Sequence, residues 1–526
     1  MTAQIPHRDL NITPLQGAMP PTPTAPTAPT APTALRQIAD LPGPKGWPVL
    51  GNLAQIKPAE FHLQLGRWAQ QHGRYYQLRM GRTRVLVMAD HEAVATMLRD
   101  RPDGFKRTDR LLAVGTEMGL KPGLFGANGD AWRRQRRMVM AAFDPGHVKA
   151  YFPSLVRCGQ RLAGRWDKAA AAGSAIDLQA DLMRFTVDAI AGLAFGTDVN
   201  TLESDDDLIQ RHLDKIFPKL FTRLITPLPY WRVIKLPSDR TLDRALQAVN
   251  SAIDGFITTA RARLAADPAR RAAPQNLLEA MLLAADQPDS GIDDAQVAGN
   301  VMTMLLAGED TTANSLAWCI WLLHQHPAAL ARATAEARSV LADVAADGPL
   351  TPDHLARLDY IEACMNETMR LKPVAPMLPQ QAIRDTVLGD VVVPAGTVVI
   401  GLLRHDSVDE RFVADAGRFM PERWLDDGGA AAPSAPSAAL AALAAPAASP
   451  ASATSPKRIS MPFGAGPRMC PGRYLALQEM KVALLTLLGR FEIESVGNAQ
   501  GNEPSERLMF AMAPVGLLMR LRARPA

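Results

Sequence analysis

Apolar positions along this chain recur mostly at helical spacing. Between about residues 130 and 345, apolar and polar residues alternate with a period of three to four, broken by Gly and Pro. Asp181 to Phe195 and Asn250 to Ala265 carry clear stripes. Leu208 to Leu228 is more mixed, interrupted by Pro218 and Pro227. The longest run, Asp293 to His326, has 34 positions and predicts a helix of roughly 50 Å. It is apolar nearly all round, which predicts a buried helix crossing a whole domain. Asp90 to Arg99 predicts a shorter helix with an aspartate start. Helix resumes at Thr351 to Met369 and at Arg473 to Leu488.

Strand signals are fewer. Arg74 to Met80 and Arg82 to Met88 flank Gly81 and predict a hairpin. Thr386 to Ile400 reads as strand, turn, strand. The expected fold class is therefore mainly α with small β-sheets (α+β), two minor sheet regions around one core. Leu41-Pro42-Gly43-Pro44 begins a stiff, turn-rich lead-in. Residues 17–34 are Pro/Thr/Ala repeats, so residues 1–39 read as a disordered tail. Gly428 to Pro456 is Ala, Pro and Ser with almost no charge, and reads as a flexible insertion without chemistry. No internal repeat appears, so residues 40–526 are expected to form a single catalytic domain.

Charge and cysteine content narrow the classes. Lys plus Arg number 57 against 53 Asp plus Glu, an excess too small to imply nucleic-acid binding. The four cysteines, Cys158, Cys319, Cys364 and Cys470, contain no C-x-x-C pair. That argues against a zinc or iron–sulfur cluster and suits a reducing compartment. No apolar run of spanning length and no secretory signal occupies the N-terminal 34 residues. A soluble, cytoplasmic monomer is the expectation.

Four motifs carry chemistry. The first is Phe463-Gly464-Ala465-Gly466-Pro467-Arg468-Met469-Cys470-Pro471-Gly472, a glycine-bracketed loop that presents one cysteine ahead of a helix. A lone thiolate held this way can serve as an axial iron ligand. Phe463 can shield the sulfur, and the planar fork of Arg468 suits a carboxylate. The second pairs Glu367 and Arg370, three apart on one helix face, with Phe419-Met420-Pro421-Glu422-Arg423 downstream. The third is Ala307-Gly308-Glu309-Asp310-Thr311-Thr312 in the middle of the long helix. Two acids and two hydroxyls are costly in a buried apolar helix, and point to an oxygen and proton site with Thr311 and Asp310 as its working groups. The fourth is Gly129-Asp130-Ala131-Trp132, with Arg136 one turn on from Trp132 and with Arg133, Arg134 and Arg137 around it. Asp130 is the expected N-cap there.

Together F-x-x-G-x-R-x-C-x-G, E-x-x-R with F-x-P-x-R, A-G-x-D-T-T and W-x-x-x-R resemble the cytochrome P-450 family over roughly residues 40 to 520, the insertion apart. The resemblance implies haem b (iron protoporphyrin IX) with Cys470 as axial thiolate. Trp132, Arg136 and Arg468 would then serve a haem propionate. Gly466 and Gly472 would let backbone approach the macrocycle. Ala307 would face substrate, and Gly308 would let the helix open over the haem. Glu367, Arg370 and Arg423 would form a buried structural triad. A further propionate contact falls on Gln380 or Gln381, neither of which supplies charge. The family activity implied is insertion of one oxygen atom from O2 into an apolar substrate. Electrons would come from a separate ferredoxin or flavodoxin with an NAD(P)H-dependent reductase, as in the soluble bacterial kind, with the basic residues near Arg133 docking the donor. Pro373, Val374, Ala375, Pro376, Met377 and Leu378 are expected at the pocket, with Leu111, Leu112, Phe217, Leu305 and Leu306 as looser candidates. A fatty acid is narrowly preferred over a terpenoid. Two alternatives stand beside this reading, a peroxide-using or peroxide-rearranging haem-thiolate enzyme and a non-enzymatic haem carrier.

Overall fold

The long apolar run forms the axis of the molecule. In the computed structural model it is one unbroken helix, Asp294–Gln325, capped by Asp293, whose carboxylate accepts from Gln296 N–H while Gln296 answers with its side chain. Leu178–Phe195 packs along it. Thr186 Oγ1 donates to Glu309 O at 3.0 Å. A Cβ on Gly308 would stand 3.2 Å from Ile190 Cγ1, so this glycine serves close helix packing. The helix is continuous through Gly308. The structure describes residues 34–204, 208–226, 228–425, 455–498 and 502–525. The tail, up to residue 33, and the insertion, up to residue 454, lie outside them. Residues Arg36–Ala526 cluster as one compact unit.

The predicted hairpin is present, Tyr75–Met80 against Thr83–Met88, turning at Gly81 with φ +63°. Thr83–Met88 then pairs in parallel with Val398–Leu402, which pairs antiparallel with Met377–Ala382, which meets Phe105–Lys106. Thr386 to Ile400 proves to be three strands in two sheets. Thr386–Leu388 and Val391–Val393 pair around Gly389, and Val391–Val393 also takes Arg36–Gln37. Pro394 and Gly396, the latter at φ +82°, then carry the chain over to the larger sheet. A proline cannot continue a ladder, so two turns interrupt a run that reads as having one. Phe491–Gly497, Leu518–Ala523 and Ile176–Asp177 make a further sheet, and Glu506–Leu508 with Met512–Pro514 a small hairpin.

Thr351 to Met369 also divides, into Pro352–Ala356 and Asp359–Leu371. The second helix has no side-chain cap of its own. The Glu336 carboxylate caps it from a neighbouring helix, accepting from Tyr360 N–H at 2.7 Å and Ile361 N–H at 2.8 Å. No local signal predicts a cap supplied from 24 residues away in sequence.

The helix Arg473–Arg490 carries a buried acid, Glu479, against Thr312 of the central helix. Burial pushes Glu479 up to about 8, with the Thr312 hydroxyl opposing. Between the ordinary value near 4.5 and that raised value, the folded state holds a proton that the unfolded chain has lost. Stability therefore falls as pH rises through this window, by about 1.4 kcal/mol per unit. Urea midpoints of wild type and Glu479→Gln, compared at pH 5.5 and pH 8, should separate in favour of the glutamine at pH 8. Parallel profiles would contradict the assignment.

Candidate active site

The cysteine loop is closed by its own backbone, Cys470 N–H donating to Phe463 O at 3.0 Å. Gly466, at φ +71°, has room for nothing larger. A Cβ there would stand 2.6 Å from Arg99 Cα and 2.7 Å from Leu98 O. The close approach it permits is therefore to the end of the His91–Arg99 helix. Gly472 has an ordinary φ of −84° and a Cβ there would only touch Phe143 at 3.9 Å. It contributes its N–H, which donates to the Cys470 sulfur. Gly472 is also the N-cap of Arg473–Arg490, so the sulfur sits at the positive end of a helix. The thiol is exposed by area, yet burial pushes its pKa up, against the Gly472 N–H, Arg136 and Arg473. Both hold for a sulfur that faces a recess within the protein rather than the outer surface. Phe463 is half-buried beside it.

Four guanidiniums gather near this recess. Arg468 is lowered to about 9 by burial and by repulsion from Arg107, Arg101 and Arg136. Burial takes Arg101 to about 9 and Arg107 to about 10, and also lowers Arg136, which Cys470 partly offsets. Among the described residues no carboxylate accounts for any of the four. Arg468 donates to Ala127 O at 2.7 Å, Leu124 O at 3.2 Å and Asn128 Oδ1 at 3.1 Å, and lies 5.2 Å over the buried Trp132 ring. Arg101 donates to Ala465 O, and Arg107 to Phe125 O. Carbonyls satisfy hydrogen-bond geometry but leave the charge unbalanced, which is costly when buried.

Sequence reasoning placed Arg136 and Arg468 here and missed Arg101 and Arg107. Neither belongs to a motif, and only the fold brings them in. The N-cap of the Gly129–Ala142 helix is Asn128, not Asp130. Asp130 is engaged with Arg133 at 2.7 Å, and Asn128 spends its side chain on Arg468 and on Arg107 N–H. Arg133 also pairs with Asp103, so it is largely neutralised, whereas Arg137 is exposed.

Along the central helix, a narrow strip breaks the burial. Thr303 and Thr311 are half-buried and Ala307 is exposed, at intervals of four, while Leu305, Leu306 and Thr312 are buried. Residues four apart share one face, so neighbouring side chains leave this strip of the helix uncovered. The Thr311 hydroxyl donates to Ala307 O at 2.6 Å. Asp310 accepts from Asn314 Nδ2, and Asn314 Oδ1 accepts from Gln179 at 2.9 Å. Leu305 and Leu306 belong to the hydrophobic core, and so leave the set of pocket candidates. Val374, Ala375, Met377, Leu378, Leu111, Leu112 and Phe217 are half-buried; Pro373 and Pro376 are buried.

The triad is assembled. Glu367 accepts from Arg370 at 2.7 and 2.8 Å, from Arg423 Nε at 3.0 Å, from Trp424 Nε1 at 2.8 Å and from Met420 N–H at 3.0 Å. Of the two glutamines, Gln381 is committed to Asp109 N–H. Gln380 is fully buried with no partner for its Oε1.

Cys470 belongs to neither group of three clustered metal-ligating side chains found among the described residues. Asp406, common to both groups, is paired with Arg74 at 2.8 Å. An iron held by this single sulfur needs its remaining ligands from a macrocycle. The arginine cluster supplies the matching demand for carboxylates, so the residues present fit a haem.

A family model described as Cytochrome P450 matches residues 41–520. Protein LUTEIN DEFICIENT 5, chloroplastic, of Arabidopsis thaliana is 25% identical over 461 residues, which cover 86% of this chain and 72% of that one. Cyclooctat-9-en-7-ol 5-monooxygenase of Streptomyces melanosporofaciens is 27% identical over 463 residues, 86% of this chain and 89% of that one. The self-sufficient cytochrome P450 monooxygenase CYP505E4 of Penicillium freii is 27% identical over 466 residues, with 86% of this chain matching 40% of that longer protein. The chain belongs to the cytochrome P-450 family.

Proposed function

We propose that this enzyme is a haem-thiolate monooxygenase with Cys470 as the axial ligand, inserting one oxygen atom of O2 into an apolar substrate. The observation that carries the reading is the set of four desolvated arginines, Arg101 buried and Arg107, Arg136 and Arg468 half-buried, with no carboxylate partner among the described residues, gathered near the recess onto which Cys470 opens. Two haem propionates would offset half of that charge. Haem bound there supplies oxygen activation.

The chain's own residues do the remaining work. The Gly472 N–H and the helix N-terminus favour negative charge on sulfur. Trp132 backs Arg468. Ala307 leaves space on the helix face, and the Thr311 hydroxyl beside it holds a proton that a small rotation would present to that space. Asp310, tied to Asn314, stands next to it.

Thr311→Ala tests this role. Product formation should fall at least about tenfold, while reductant consumption continues and hydrogen peroxide appears in its place. Undiminished product yield per electron would overturn it.

The electron donor is proposed to be a separate ferredoxin or flavodoxin with its NAD(P)H-dependent reductase. Support comes from Arg137, exposed on the helix that also carries Arg136, to which an acidic partner would be steered. The half-buried apolar residues Val374, Ala375, Met377 and Leu378 favour an apolar substrate, each buried CH2 contributing about 0.8 kcal/mol. A fatty acid or a terpenoid meets that condition. No helix among the described residues is long and apolar enough to cross a membrane. The free, buried Cys158, Cys319 and Cys364 support a reducing, cytoplasmic setting.

A further inference from the structure

Asn300 is an unusual residue for the first half of the central helix. It is fully buried among apolar neighbours, and an amide there is costly unless its polar atoms find partners. Each does. Asn300 Nδ2 donates to Gln135 Oε1 at 2.9 Å and to Gln296 O at 2.7 Å, while Asn300 Oδ1 accepts from Leu124 N–H at 3.0 Å. Leu124 N–H can only donate, which fixes the orientation of the amide. Gln135 is as deeply buried as Asn300. The backbone beside them fits closely too. A Cβ on Gly123 would run into Gly299 O, and one on Gly299 would stand 2.5 Å from Pro122 C and 2.8 Å from Gly123 N. Residues 122–124 therefore lie flat against the central helix.

Three of the four clustered arginines hang on the two elements that Asn300 fastens. Arg468 donates to Leu124 O, Phe125 O, Ala127 O and Asn128 Oδ1. Arg107 donates to Phe125 O through its side chain and to Asn128 Oδ1 through its N–H. Arg136 follows Gln135 on the helix Gly129–Ala142. One amide thus links residues 124–128 and the Arg136 helix to the helix that carries Thr303, Ala307 and Thr311. A fully satisfied polar network of low local dielectric holds its members in a single arrangement.

We propose that Asn300 is a positioning residue for the haem. Through Leu124 and Gln135 it sets where Arg468, Arg107 and Arg136 meet the propionates, and so how tightly haem is held and how readily it is reduced. Positive charge fixed near the haem favours the added electron, so guanidiniums that lose their carbonyl partners leave reduction less favourable. The inference rests on the haem-thiolate reading, and the two fail differently. Without a thiolate-type carbon monoxide spectrum the reading itself fails. With that spectrum intact, only the role of Asn300 is tested.

The test compares haem-loaded wild type, Asn300→Leu, Gln135→Leu and the double variant, with Tyr76→Phe as control. The control removes a different buried hydrogen bond, Tyr76 OH to Leu65 O at 2.7 Å, on a strand that carries none of the four arginines. The readouts are haem transfer to excess apomyoglobin, the reduction midpoint and the thermal midpoint. Asn300→Leu should release haem about tenfold faster and move its reduction midpoint to lower potential. Gln135→Leu should shift both in the same direction, and it leaves Leu124 bonded, so it reads the link to the Arg136 helix whatever becomes of Asn300→Leu. The double variant replaces both amides by apolar groups. Its thermal midpoint should recover above that of Asn300→Leu, while haem release stays fast because Leu124 N–H still lacks its acceptor. Tyr76→Phe should lower the thermal midpoint alone. Wild-type haem release and reduction midpoint in both single variants would overturn the proposal. So would a return of both to wild-type values as the thermal midpoint recovers in the double variant.

Discussion

Replacing Cys470 with serine should reduce product formation by more than about a hundredfold while leaving the protein folded. Removing groups that merely orient a metal ligand already costs about 10–100-fold, and this substitution removes the ligand. Serine keeps the shape of the loop. The Cys470 N–H bond to Phe463 O is main chain, and Gly466 against Arg99 is untouched. The hydroxyl differs in chemistry, because at neutral pH it does not supply the soft, electron-rich anion that a thiolate does. Turnover with reductant and redox partners, alongside far-ultraviolet circular dichroism, checks both halves. A folded serine variant with near wild-type turnover would remove Cys470 from the chemistry.

The second large effect concerns stability. Glu367→Gln should destabilise the fold by about 3–5 kcal/mol. Glu367 is fully buried and takes donors from Arg370, Arg423, Trp424 and Met420. Glutamine keeps the volume and removes the charge, and its amide N–H2 would face a guanidinium. Arg370 would then be left buried without a counter-charge, with one amide oxygen and the carbonyls of Ser407, Ala416 and Arg418 as acceptors. Against a total stability of about 5–15 kcal/mol, such a loss should appear as a large drop in denaturant midpoint or as insoluble protein. An unchanged midpoint would mean that the triad contributes nothing to the fold.

Local signals account for the parts of this molecule that its sequence foretold. Gly81 between two β-prone runs is a hairpin signal, and Asp90 caps its helix by accepting from Glu92 and Ala93 N–H. The central helix announces itself by length and by apolar residues on every side. The cysteine loop, the triad and the Ala307–Thr312 segment are legible because each motif is contiguous or helix-spaced. What escaped was set by distant contacts. The strand Met377–Ala382 contains Pro379 and two glutamines and reads poorly as a strand, yet it lies between two other strands of a sheet. The break before Asp359 depends on Glu336 from another helix. Arg101 and Arg107 carry no motif and become part of a charge cluster only where loops meet Arg468. The glycines of the cysteine loop were legible as a motif, and their contacts within the protein were not. Gly466 is required by the His91–Arg99 helix, and Gly472 acts through its N–H.

The most direct test of the central claim, that Cys470 binds haem iron as a thiolate, is the spectrum of the reduced, haem-loaded protein under carbon monoxide. The account predicts a Soret band shifted strongly to the red, as a thiolate opposite carbon monoxide produces, and its loss in Cys470→Ser. A Soret band at the position of nitrogen-ligated or neutral-thiol haem, in protein that is folded and fully loaded, would contradict it.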